Sequence, residues 1–207
     1  RGAKIESNFS ARTSVFKAGP HTMTMAKSIT GSFWLTDTVQ IQAVDTFTNG
    51  TISLAAYIDV GDSQAIAIEQ IDIIIQAYDT ATNSYNSNMA TTVAGNVVVA
   101  SQVSDQAFPT ASMLVASANS LVASGAWYYD DANNISSTGT DLFPDVFGKL
   151  DEARMVINDQ LYLQTVLGMS PLVAGRELAV TFRCKCRLIR LTKSDWMSLA
   201  VQSSAAV

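Results

Sequence analysis

Val39-Gln-Ile-Gln-Ala-Val-Asp-Thr-Phe-Thr-Asn-Gly-Thr-Ile-Ser-Leu-Ala-Ala-Tyr-Ile-Asp-Val60 decides the fold class. Val39, Ile41 and Ala43 alternate with Gln40, Gln42 and Val44. Further on, Ile52, Leu54, Ala56, Ile58 and Val60 alternate with Thr51, Ser53, Ala55, Tyr57 and Asp59. Side chains on a strand point to opposite faces in turn, so this is the pattern of two half-buried strands. Thr48-Asn49-Gly50 lies between them, and Asn-Gly between alternating runs predicts a tight hairpin turn.

Period two continues outward from this unit. Gly61-Asp62-Ser63 reads as a turn. Ile66, Ile68, Ile71, Ile73 and Ile75 then form a strand whose phase changes at Glu69-Gln70, which predicts a bulge. Ala77–Asn96 is a Thr/Asn/Ser-rich connection, followed by a short buried strand at Val97–Ala100. Thr110–Ala123 places Leu114, Ala118, Leu121 and Val122 at helical spacing behind Thr110 as N-cap, and predicts a short helix. Trp127-Tyr128-Tyr129 starts a strand. Arg154–Val166 reads as one strand and Leu178–Leu191 as the longest, and Thr192–Val201 closes with a short amphipathic turn or helix. About eight strands with long polar connections predict an all-β chain, a single jelly-roll β-sandwich over residues 31–207. Residues 1–30 have no periodicity and form a basic N-terminal arm.

Charge is distributed in blocks. Arg1–Lys27 carries +4, the stretch from Ser28 to Gly148 carries −12 with no Lys or Arg at all, and Lys149–Val207 carries +3. Charged residues make up 15% of the chain, against about 25% in an ordinary soluble domain. A surface so poor in charge is normally covered by a partner. Blocks of opposite sign point to like subunits meeting through the body and an anionic partner at one pole. No segment approaches the roughly 20 apolar residues of a membrane helix.

Chemistry is sparse. The single histidine, His21, lies in the basic head, and no nucleophile elbow, metalloprotease helix or phosphate loop occurs. The chain therefore reads as a structural protein and not an enzyme, with no cofactor. Cys184 and Cys186 would share one face of a strand, where i and i+2 do not bridge without distortion, and they read as small core residues. Asp59, Asp62, Asp130 and Asp131 sit in turns. Their oxygens either serve the local backbone or hold calcium at subunit interfaces, though none matches an EF-hand loop.

The basic strand Phe182-Arg-Cys-Lys-Cys-Arg-Leu188 puts Arg183, Lys185 and Arg187 on one face and its apolar residues on the other. Same-face neighbours are about 7 Å apart, so this is a ladder of three cations. Cross-strand carboxylates or a phosphate backbone would relieve their repulsion. Together with Arg1, Lys4, Arg12 and Lys17 of the head, these residues are the candidate nucleic-acid or inter-subunit contacts. Aromatic residues interleaved with the cations are few, which argues against recognition by base stacking.

The order of these features resembles the single jelly-roll capsid proteins of small icosahedral viruses. It is carried by the basic arm, the region of Asn49-Gly50, Tyr57-Ile-Asp-Val-Gly-Asp-Ser63 with Gln70-Ile-Asp-Ile73, and the basic final strand. The ending Leu191-Thr-Lys-Ser-Asp-Trp-Met-Ser-Leu-Ala-Val-Gln-Ser203 is similar to capsid proteins of environmental and archaeal-type viruses. The resemblance implies a coat subunit that assembles with copies of itself into an icosahedral shell around a genome, and a place in the virion. The arm departs from the pattern, since genome-packaging arms are usually far richer in Arg and Lys. The alternative is a cell-surface, filament or S-layer subunit that polymerises extracellularly by strand addition.

Overall fold

The computed structural model describes residues 26–86, 89–109, 112–139 and 154–204. The strands are β1 Lys27–Ser28, β2 Phe33–Ile41, β3 Phe47–Ser53, β4 Gln64–Asp79, β5 Ser84–Asn86, β6 Val97–Ser104, β7 Leu121–Asp130, β8 Ile135–Thr138, β9 Arg154–Val156, β10 Gln160–Met169 and β11 Arg176–Arg190. The helix α1 spans Lys193–Ser204.

Antiparallel pairing is nested. β2 pairs with β11, β3 with β10, β4 with β9, and β6 with β7. A long hairpin paired in this way and rolled up gives two sheets, and the extra pairs β4–β11 and β6–β10 close the roll. One sheet holds β1, β2, β11, β4, β5 and β9, and the other runs β3-β10-β6-β7-β8. This is the jelly-roll sandwich that the alternation predicts.

The core lies between the sheets. Ile41, Leu54, Ile66, Ile68, Leu161, Leu163, Leu167, Leu178 and Phe182 are fully enclosed. Cys184 and Cys186 belong to the same cluster as buried free thiols. The hydrogen bond between the Cys184 thiol and Cys186, and then burial, push the Cys184 thiol well above its usual range. The predicted bulge is present. Lys185 pairs with Gln70 and Cys186 with Ile68, leaving Glu69 as the extra residue.

Five elements differ from expectation. Asn49-Gly50 makes no hairpin. Asn49 pairs with Gln164 and Gly50 with Leu163 inside β3, and the chain turns earlier, near Asp45 (φ of 53°), to pass from one sheet to the other. A Cβ on Gly50 would stand 2.7 Å from Val39 Cγ2, so glycine is needed here for close approach of the sheets and not for a turn. The alternating run after Ser53 also leaves the sheet: Tyr57 N donates to Leu54 O (2.8 Å) in a turn.

Residues 112–120 form no helix, and Leu121–Ala123 begin β7. Gln102 replaces the helical hydrogen bonds there: its Nε2 donates to Leu114 O and its Oε1 accepts from Leu114 N, each at 2.8 Å. Thr110, the expected N-cap, lies outside the described residues. Arg154–Val166 is two strands, since Ile157–Asp159 carries the chain from β9 on one sheet to β10 on the other. The connection Ala77–Asn96 also contains strand. β4 runs on to Asp79, which makes it one residue longer than β11, and turns into β5 with Tyr78 against Tyr85 (4.9 Å between ring centroids).

The expected C-terminal amphipathic element is α1. Thr192 caps it by accepting from Asp195 N (3.2 Å) and donating to Asp195 Oδ2 (2.7 Å). Trp196 and Leu199 pack on Ala65, Ala67 and Ile189, on the outer face of the six-stranded sheet. Met197, by contrast, is exposed. No described helix is long and apolar enough to cross a membrane.

Candidate nucleic-acid interface

The charge blocks of the sequence become a difference between the two sheets. Every described Lys and Arg lies in a strand of the six-stranded sheet or in α1. The strands of the five-stranded sheet hold no basic residue, and Asp130 is their one acidic residue. The rolled hairpin makes this partition, because it gathers the two ends of the chain into one sheet. β1 pairs Lys27 with Arg190 and Ser28 with Ile189, so Lys27 lies beside the end of the basic strand. Arg1, Lys4, Arg12 and Lys17 lie outside the described residues.

β11 keeps the expected alternation, with Phe182, Cys184 and Cys186 buried and Arg183, Lys185 and Arg187 half-buried on the other face. The three cations have different surroundings. Arg187 Nη2 is ion-paired with Glu69 Oε1, whose other oxygen accepts from Ser32 Oγ (2.8 Å). Arg183 lies over the indole of Trp34, 4.5 Å from the ring centroid. Lys185 has no ion-pair partner among the described residues. Cross-strand pairing with a carboxylate thus accounts for Arg187 and leaves Arg183 and Lys185 open on the sheet surface.

Trp34 is the residue that the sequence did not offer for this face. It comes from β2, where Trp34, Thr36, Thr38 and Gln40 all point outward, and its Cα partner in β11 is Lys185. Only the pairing of the first long strand with the last brings an aromatic ring among the cations. On the other side of β11, Asp72 stands opposite Arg183 and accepts from Gln70 Nε2 (2.7 Å). Thr38 and Thr181 share a hydroxyl hydrogen bond of 2.9 Å between them.

No family model matches this chain, and no curated protein matches it. Among solved structures it is similar to a chain of Desmodium yellow mottle tymovirus, at 9% sequence identity, over 79% of this chain and 91% of that one, with a TM-score of 0.27.

Of the four aspartates expected in turns, Asp59, Asp62 and Asp130 have locally engaged carboxylates. Asp59 Oδ1 accepts from Gly61 N (2.8 Å), and Asp62 pairs with Arg190 (2.7 Å). Asp130 accepts from Asn133 Nδ2 (2.6 Å) and from Ala132 N (3.1 Å), and the Asn133 bond holds its carboxyl below the usual range. Asp131 donates its backbone N–H to Asn96. Asp59 and Asp130 therefore do the turn chemistry that Asp favours. Among the described residues no group of three His, Cys, Asp or Glu side chains is placed to hold a metal ion. A cleft of about 310 Å³ opens between β4 and β7, lined by Ile71, Ile73, Val99, Ala123 and Trp127, and its one titratable group is Asp72.

Proposed function

We propose that this chain is a virus coat subunit that assembles with copies of itself into a closed icosahedral shell. In that shell the six-stranded sheet faces the genome and the five-stranded sheet faces outward. The observation that carries this reading is the partition of charge between the sheets of a jelly roll. A shell subunit meets an anionic polymer on one side and solvent or neighbours on the other, and a sheet that holds every described strand cation beside one with no basic residue has that asymmetry. Lys27, paired with Arg190, adds a further cation beside β11. Scarcity of charge elsewhere suits the large apolar contacts of obligate assemblies. The virion is accordingly its place, and its partners are its own copies and nucleic acid.

The testing experiment is electron microscopy of the purified chain at neutral pH, at low and at high salt. Uniform closed particles support the coat reading, and closure that depends on salt implicates the cationic sheet and head. Filaments or open sheets would overturn it in favour of a surface polymer built by strand addition. A monomer under every condition would count against both.

A further inference from the structure

We propose that Trp34, flanked by Arg183 and Lys185, is a stacking site for an unpaired base of single-stranded nucleic acid. The proposal deepens the coat reading, since it rests on this face being the one turned to the genome. Trp34 is 40% exposed on a strand whose other outward residues are Thr36, Thr38 and Gln40. A large ring left this open in the middle of a polar sheet face is unusual, and among the described residues a guanidinium lies over it. Arg183 covers one face of the indole and leaves ring surface open. Lys185, directly across from Trp34, has its ammonium free to meet a phosphate.

An exposed aromatic with cations on either side of it is what sequence-tolerant strand binding needs. The ring takes the base, which has a π-face whatever its identity, and the cations take the backbone. A base paired and stacked in a duplex presents no free face, and one ring can stack only a base already splayed from its neighbours. The site therefore selects single strands. Asp72 bounds it on the β4 side, so the strand runs over β11 and β2, towards the end where Lys27 pairs with Arg190.

The test is fluorescence anisotropy of the full chain with a labelled oligo(dT) of about 20 nucleotides, longer than the ~4–16 nucleotides that an OB-fold covers. A duplex of the same length is titrated in parallel, both across a salt series. Trp34→Ala is expected to weaken single-strand binding about tenfold (about 1.4 kcal/mol), to leave duplex binding alone and to keep the salt slope. Trp34→Phe should retain most of the affinity, which separates loss of the ring from loss of the fold. Lys185→Ala should lower the slope by about 0.7, the value for one phosphate contact on a single strand. Wild-type affinity in Trp34→Ala, equal losses on strand and duplex, or no binding by the parent chain would each overturn the site. Closed shells from a Trp34→Ala chain that binds strands normally would overturn the site and leave the coat reading standing. Open filaments from a parent chain whose strand binding depends on Trp34 would do the reverse.

Discussion

Glu69, the extra residue of the β4 bulge, turns its carboxylate onto Arg187 of β11 while Ser32 holds its second oxygen. The bulge gives the β4–β11 pair an ion pair at the point where the outer face passes from open sheet to the surface under α1. Glu69 is the more deeply buried partner, at 8% side-chain exposure against 32% for Arg187. Removing one partner of a buried pair strands the other charge, at a cost of about 3 kcal/mol. Arg187→Ala, which leaves the deeper charge alone, is expected to cost more than Glu69→Ala. The double variant should cost less than the sum of the two. A double-mutant cycle by urea unfolding checks this, and equal, additive losses would mean that the pair is not coupled.

Gly50 offers a second test, aimed at how the two sheets meet. Its Cβ would fall 2.7 Å from Val39 Cγ2 and 3.0 Å from Asp37 Oδ2, with Leu163 behind. Val is stiff at χ1, so the methyl cannot swing aside cheaply. Gly50→Ala is expected to destabilise by about 1–3 kcal/mol, the usual range for overpacking. Val39→Ala in the same chain should recover part of that loss. If Gly50 served a turn, the Val39 change would recover nothing, so thermal melts of the three variants separate the two explanations.

That glycine also shows what the sequence could and could not say. Alternation within each strand was legible, because burial of one face writes itself into period two. So were the Glu69 bulge and the outward face of Arg183, Lys185 and Arg187. The Asn49-Gly50 hairpin was not. The dipeptide has the chemistry of a turn, but its conformation here is set by a neighbouring sheet that the local sequence does not describe. The helix expected over Thr110–Ala123 fails for a related reason: the partner of Leu114 is the side chain of Gln102, on another strand. Trp34 beside Arg183 was equally hidden, because the first long strand and the last become neighbours only through the nested pairing. In each case the decisive contact is non-local.

Two carboxylates should respond to pH in opposite directions. Asp105 is buried at the end of β6, facing Arg154 Nη2 (3.2 Å), while Asn158 donates to its carbonyl. Burial raises its pKa above the ordinary 3.8, and Arg154 only partly opposes this. A carboxyl with a raised folded-state pKa penalises the fold once ionised, and the penalty grows as pH rises through and above 3.8. Asp105→Asn is therefore expected to gain more Tm over the parent at neutral pH than below 3.8. Asp79 differs: a hydrogen bond from the Ala81 backbone, with Arg176 at 2.6 Å, lowers its pKa. Its contribution is present above 3.8 and fades as pH falls through its lowered folded-state value. Asp79→Asn should melt below the parent at neutral pH and converge with it in acid. Melts of both variants across that range check the signs.

Gln102 supplies the last test, because it does for residues 112–120 what a neighbouring strand would do. It is only 6% exposed and bonds both backbone groups of Leu114. Gln102→Ala would leave an N–H and a C=O without their partners, at about 1–3 kcal/mol for each group that stays buried. The segment can instead swing out to water, so much of the loss should appear as local opening and not as global unfolding. The expected result is cleavage within 112–120 at a protease concentration that spares the parent chain, with a smaller change in the urea midpoint. Once ionised, Gln102→Glu keeps an acceptor for Leu114 N but offers no donor to Leu114 O and buries a charge, so it should open the segment above the carboxylate range more strongly than below it, where its O–H can donate. An unchanged cleavage pattern in both variants would mean that packing of Leu114, and not the Gln102 bonds, holds this stretch against the sandwich.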